Sequence, residues 1–135
     1  MNYFSYATEQ AGNTLEPPRI DRITLNVMVD TDADTSFLEQ EEFSELRESY
    51  HRGDYYFVGV RANADVSYAI SNTDRRIETL TSGGVWGIES NSGKDYIEGE
   101  VGKDELNDLK THLERFGVNT SNFDALIENV EVVWH

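Results

Sequence analysis

The chain has 135 residues, no cysteine, and 26 acidic against 11 basic side chains, a formal charge of −15. That balance repels nucleic acid and anionic lipid and draws in cationic proteins and metal ions. The missing thiols exclude disulfides, thiolate metal centres and a cysteine nucleophile.

A domain of this length buries roughly two-thirds of its unfolded surface, enough for a core without covalent staples. Residues 1–18 are polar, lack periodicity and end in Pro17-Pro18, so they read as an N-terminal arm ahead of one domain over 19–135. The arm has no basic segment followed by an apolar one. No apolar run approaches the ~20 residues of a membrane helix, so no membrane partner is expected and the expected location is cytoplasmic. In "RITLNVMV", Ile23, Leu25, Val27 and Val29 alternate with polar residues, the period of a half-buried strand.

"DTDADTSFLEQE" follows, with Asp30, Asp32, Asp34 and Glu41 at positions one, three, five and twelve of a calcium-binding loop. Such a loop needs glycine at position six and an oxygen donor at nine; here they are Thr35 and Leu38, and a strand precedes the loop. The stretch therefore reads as a turn in which Asp34 or Thr35 ends the strand and caps the next helix. A weak divalent-metal or hydrolytic site on Asp30, Asp32 and Asp34 is the alternative. A helix is predicted over 39–50. Phe43, Leu46 and Tyr50 share one face of it, and Glu41, Glu45 and Glu48 share the opposite face.

The stretch "DYYFVGVRANADVSYAI" sets Tyr56, Val58, Val60, Ala62, Ala64, Val66, Tyr68 and Ile70 on one face of a strand. Straight, it would run roughly 50 Å, so a bend is expected near Gly59, Ala62 or Ala64. "SNTD" turns the chain, and "RRIETLTSGGVWGIES" returns as a strand broken at Gly83-Gly84. Leu106, Leu109, Leu113 and Phe116 mark a second helix that Gly117 stops, and the stripe extends back through Gly102, Gly99 and Tyr96. Val130, Val132 and Trp134 close with a last strand. The order is β-α-β-β-α-β. The expected class is α+β: one domain, an antiparallel sheet of about four strands, and two helices on one side, as in a ferredoxin-like fold.

Charge placement carries the functional expectation. From Asp30 to Glu48 eight acids meet one base, Arg47, and no lysine offsets the Glu41/Glu45/Glu48 row, although like charges at this spacing cost a few tenths of a kcal/mol per pair. Glu89, Asp95, Glu98 and Glu100 form a second acidic stretch relieved only by Lys94. A twelve-residue helix, about 18 Å long, would face about ten duplex phosphates, while residues 39–50 carry a net charge of −4. Imitating DNA would need both acidic stretches on one side, or a homodimer that continues the row; covering a basic protein groove needs less.

"SGGVWGIESNSGKD" fails as a phosphate loop, because five residues separate Gly87 from Gly93 and Asp95 follows Lys94. Trp86 either packs on the core or, exposed beside Glu89, anchors a partner. His51, His112 and His135 have no second ligand at metal spacing, and nothing pairs a nucleophile with a base. No catalytic residue and no cofactor is expected. The predicted partner-binding residues are Asp34, Glu39, Glu41, Glu45, Glu48, Trp86 and Glu89.

"DTSFLEQEEF", "FVGVRANADV" and "SGGVWGIESNSG" resemble the motifs of a family of short uncharacterised bacterial and phage proteins. That family has, in this order, a D-x-S-x-L-E-Q run, a G-[IV]-[RK]-A strand and a G-[LV]-W-G-[IV]-E-S-[DN]-S turn. The matching positions are Asp34, Ser36, Leu38, Glu39, Gln40, Gly59, Arg61, Trp86, Gly87, Glu89 and Ser90, within about residues 22–117. Gly99 and Gly102 depart from it, standing where bulky residues usually follow the last motif. The resemblance implies a phage or mobile-element setting and no assigned activity. The expected partner is then a basic host protein, such as a nucleic-acid-handling defence enzyme, with a virion or assembly component as the alternative role.

Overall fold

The structure is a computed structural model that describes residues 16–135. Residues 1–15 of the arm expected over 1–18 lie outside the described residues. At its end Pro18 is buried, and its carbonyl accepts the Asn119 N–H at 2.8 Å.

β1 (Arg19–Val29) leads through two short 3₁₀ turns, Ser36–Glu39 and Glu41–Phe43, into α1 (Ser44–His51). β2 (Phe57–Ala69), β3 (Arg75–Thr81) and β4 (Val85–Glu89) follow. A π-helical segment, Asp95–Val101, runs into α2 (Gly102–Arg115), and α3 (Phe123–Glu128) precedes β5 (Glu131–Trp134). The strands form one sheet in the order β3-β2-β1-β5, with β4 also pairing β2.

The α+β class holds, with five strands and three α-helices among the described residues. The ferredoxin-like arrangement does not. β1 and β2 are direct antiparallel neighbours, from Arg19↔Ser67 to Val29↔Val58, so the helix between them makes no crossover. β5 lies parallel to β1, which makes the sheet mixed rather than antiparallel. The six-residue α3 escaped the sequence pattern because Phe123, Leu126 and Ile127 span too few turns to show a period.

Side chains alternate along β2. Val58, Val60, Ala62, Ala64, Val66 and Tyr68 point toward α2 and meet Ile97, Val101, Leu106, Leu109 and Leu113 in the main core, which β1 and Phe123 complete. Gly102 lets the helix lie on the sheet, since a Cβ there would sit 2.5 Å from Leu25 Cδ2. Gly102 belongs to the backward extension of the Leu106/Leu109/Leu113 stripe, whose Tyr96 end is exposed.

Phe57 points the opposite way. Its ring lies 5.5 Å from Tyr50, 5.7 Å from Tyr55 and 6.4 Å from Phe37, so α1 sits on the other face of the sheet, at the end where β2 begins. The expectation of both helices on one side is corrected accordingly. So is the single helix over 39–50: Gln40 is extended at ψ 141° and breaks it, leaving Glu41 in a 3₁₀ turn ahead of α1. The break follows from burying Leu38 fully. With Leu38, Phe37 and the β2 aromatics filling the interior, α1 contributes no fully buried residue, and Leu46 is 37% exposed.

Candidate interaction surface

The "SGGVWGIES" stretch is fixed residue by residue. Ser82 Oγ accepts the Ala62 N–H at 2.9 Å and donates to Glu105 Oε1 at 3.2 Å. The N–H of Gly83 goes to Asp108 Oδ2 at 3.0 Å, and Glu105 also accepts the N–H of Gly84. Two carboxylates on successive turns of α2 thus hold the break between β3 and β4. Burial raises the Glu105 pKa; its hydrogen bonds from Ser82 and Gly84 oppose the rise, while Asp108 and Asp104 add to it.

β4 then pairs with an offset, Val85 opposite Val60 but Ile88 opposite Val58. The extra residue is a bulge, which Gly87 absorbs at φ +74°. Val85 and Ile88 both stay on the α2 side, and Trp86 turns to the α1 side. There its indole lies flat on the backbone of Gly59: a Cβ on Gly59 would sit 2.0 Å from Cε3 and 2.4 Å from Cζ3 of the ring. Trp86 therefore does not enter the main core, and 46% of it remains exposed.

Two of the three aspartates of the opening loop, Asp30 and Asp34, accept backbone amides. Asp30 Oδ1 accepts the Asp32 N–H at 3.1 Å, and its Oδ2 accepts the Gly87 N–H at 2.9 Å. Asp34 Oδ1 accepts the Ser36 N–H at 2.9 Å; hydrogen bonds from the Ser36 side chain and then its backbone lower the Asp34 pKa. Asp34 thus ends the loop at a 3₁₀ turn, rather than at α1 as predicted. Among the described residues no three acidic, histidine or cysteine groups gather to hold a metal. Asp30→Ala should lower stability by about 1 kcal/mol through the lost Gly87 bond. Calcium at about 1 mM, within the weak range of protein sites, should leave the thermal midpoint of the wild-type chain unchanged.

Glu39, Glu41, Glu45 and Glu48 are exposed, and among the described residues none of them forms an ion pair. Arg47 and Arg52 are engaged elsewhere, while Lys94 pairs within the second acidic stretch. Arg47 donates to the Leu38 carbonyl at 3.2 Å, Arg52 pairs with Asp54 at 2.8 Å, and Lys94 lies 3.7 Å from Glu98. Glu89 stands opposite Phe57, hence on the α1 side. Burial first, and the Glu89 charge second, raise the Tyr55 pKa, and the Tyr55 hydroxyl donates to the Leu46 carbonyl at 3.2 Å.

Glu89 of the second acidic stretch and the acids of α1 thus flank Tyr55 on one side of the sheet, and the Asp30–Gly87 bond ties the opening loop to β4. Asp95, Glu98 and Glu100 lie instead in the segment that packs Ile97 and Val101 into the main core. Of the predicted residues, Glu45, Glu48, Trp86 and Glu89 share this side of the sheet, Glu41 precedes α1, and Asp34 and Glu39 lie in the approach to it. At the other end of β2 arginines gather and pair, Arg19 with Asp21 at 3.3 Å among them. Arg19 Nε and Arg75 Nη2 both donate to Ser67 Oγ at 3.2 Å, and Arg22 pairs with Glu131.

Sequence reasoning missed the Glu105–Ser82 pair, the aromatic cluster under α1 and the seating of Trp86 on Gly59. The last had a signal, a glycine inside a strong strand pattern, which marks close approach by another group. A shallow open depression lined by Gly87, Ile88, Glu89, Ser92 and Tyr96 lies next to β4. No helix among the described residues is long and apolar enough to cross a membrane. No family model, curated protein or solved structure matches the chain.

Proposed function

We propose that this is a non-enzymatic binding domain whose acidic end covers a basic surface of a partner protein. In the mobile-element setting that the motif resemblance implies, the partner is a host protein that handles nucleic acid. One observation carries the reading: Glu89 and the acids of α1 lie on one side at one end of the sheet while Arg47 and Arg52 beside them are turned to other groups. Exposed acids that merely aid solubility would be interspersed with bases, as on α2, where Lys110 and Arg115 alternate with Asp108 and Glu114. The field of such a patch attracts cationic surfaces and is screened by salt.

The test is capture from host lysate by the wild-type chain and by two variants of equal charge change. Glu41→Lys/Glu45→Lys/Glu48→Lys should lose the captured protein. Glu100→Lys/Asp104→Lys/Glu114→Lys should keep it, and raising salt to about 0.5 M should release it, because the screening length there falls to a few ångströms. Equal loss from both variants would mean that bulk charge, not this surface, governs retention, and the reading would fail.

A further inference from the structure

Trp86 is held in an unusual way for an exposed aromatic. Gly59 on β2 and Gly84 ahead of β4 leave a floor on which the indole rests, since a Cβ on Gly84 would lie 2.8 Å from Nε1. One ring face is thus pressed onto the backbone and the other is turned outward, without the rotamer freedom that weakens most surface aromatics. Among the described residues no aromatic partner and no cation covers that outer face: the cation–π contact among them is Lys110 over Phe123 at 5.6 Å. Arg61, two residues along β2 from Gly59, has its Nε enclosed without a hydrogen-bond partner and makes no cation–π contact with the ring.

The surroundings are acidic. Asp30 is bonded to the residue after Trp86, Glu89 is on the same side of the sheet, and α1 presents Glu45 and Glu48 beyond the aromatic cluster.

We infer that the outward face of Trp86 is the seat for an arginine side chain of the basic partner, stacked on the indole with its guanidinium toward Glu89 and α1. This rests on the binding function proposed above and names the residue chemistry by which the surface selects its ligand. Indole is the strongest cation–π acceptor among side chains. Guanidinium stacks on it as a plane and can still bond a carboxylate at its edge, which a compact ammonium does not do. Long-range acid attraction alone would treat arginine and lysine alike; the fixed indole distinguishes them.

The probe is a hexa-arginine peptide compared with hexa-lysine. A Trp134→Phe background leaves Trp86 as the only indole. Hexa-arginine should change Trp86 emission saturably and bind more tightly than hexa-lysine. Trp86→Leu should weaken hexa-arginine about fivefold, the equivalent of about 1 kcal/mol for an exposed pair, and erase the preference over lysine. Trp86→Phe should fall between the two. Circular dichroism on each variant, with Trp86→Phe as the gentler change, separates loss of the seat from loss of the fold.

If the Glu41/Glu45/Glu48 reversal abolishes peptide binding while Trp86→Leu leaves both affinity and arginine preference intact, the seat is wrong and the acidic interface stands. If neither variant weakens binding, both fall. Tight stacking of an oligothymidylate on Trp86, with no response to arginine, would also overturn the seat, because the indole would then serve bases rather than cations.

Discussion

Gly59→Val is expected to destabilise the protein by about 2 kcal/mol, in the range for forcing extra methyl groups into an occupied site. The new Cβ would overlap the six-membered ring of Trp86, so the indole must leave the sheet. In a strand, valine by itself is favoured over glycine. The sign should therefore reverse once Trp86 is gone: in a Trp86→Ala background, Gly59→Val should stabilise. A double-mutant cycle on chemical denaturation midpoints measures this coupling. In a Trp134→Phe background the single Gly59→Val change should also shift Trp86 emission to the red as the ring enters water. A destabilisation that is the same with and without Trp86 would show that the strand, not the stack, resents the substitution.

Glu105 gives the second large effect. It is only 5% exposed, yet it carries the hydrogen bonds that fix the β3–β4 break. Glu105→Ala would leave the buried Ser82 hydroxyl without this acceptor, at roughly 1–3 kcal/mol for a buried group left unsatisfied. Glu105→Gln separates charge from hydrogen bonding. Burial raises the carboxyl pKa in the folded state above its unfolded value. The folded state therefore binds the proton more tightly, and the resulting stabilisation is present below the unfolded pKa and is lost as pH rises through the folded pKa. The glutamine variant has no such titration. Its stability relative to wild type should improve from pH 4 upward, read as the difference in denaturation midpoints across a pH series. A flat difference, or one that falls with pH, would show that the hydrogen bonds dominate the burial cost.

The parts of the fold legible in the sequence are those where one physical signal acts alone. The alternation of β1 and β2 and the Leu106/Leu109/Leu113 stripe report burial in the main core, and the structure follows them except at the strand ends, where Val29 and Tyr56 are exposed. Gly83-Gly84 marked a break, and the structure puts one there, held by Glu105 and Asp108. Connectivity was not legible, because strand pairing depends on distant partners: nothing within "RITLNVMV" says that its neighbours are β2 on one side and a parallel β5 on the other.

The glutamate row shows another limit. Its spacing fitted an unbroken helix, but burial of Leu38 competes with helix continuation and prevails at Gln40. Exposure of the acids survived that change, since they needed only to point away from the aromatic cluster. The Trp86 seat was half legible: the exposed tryptophan and the in-strand glycine were both visible, but only the bulge at Gly87 brings them together.

The pairing of β5 with β1 has a consequence for how the chain reaches this state. His135 bonds Asn26 across 109 residues of sequence, and the ladder beside it closes a loop of similar size. Such distant closure is costly in chain entropy and slows folding. Until residues near 134 arrive, β1 has one flank unsheltered, its amides open to any other extended peptide. Folding of this domain should therefore be paced by its final strand rather than by its helices.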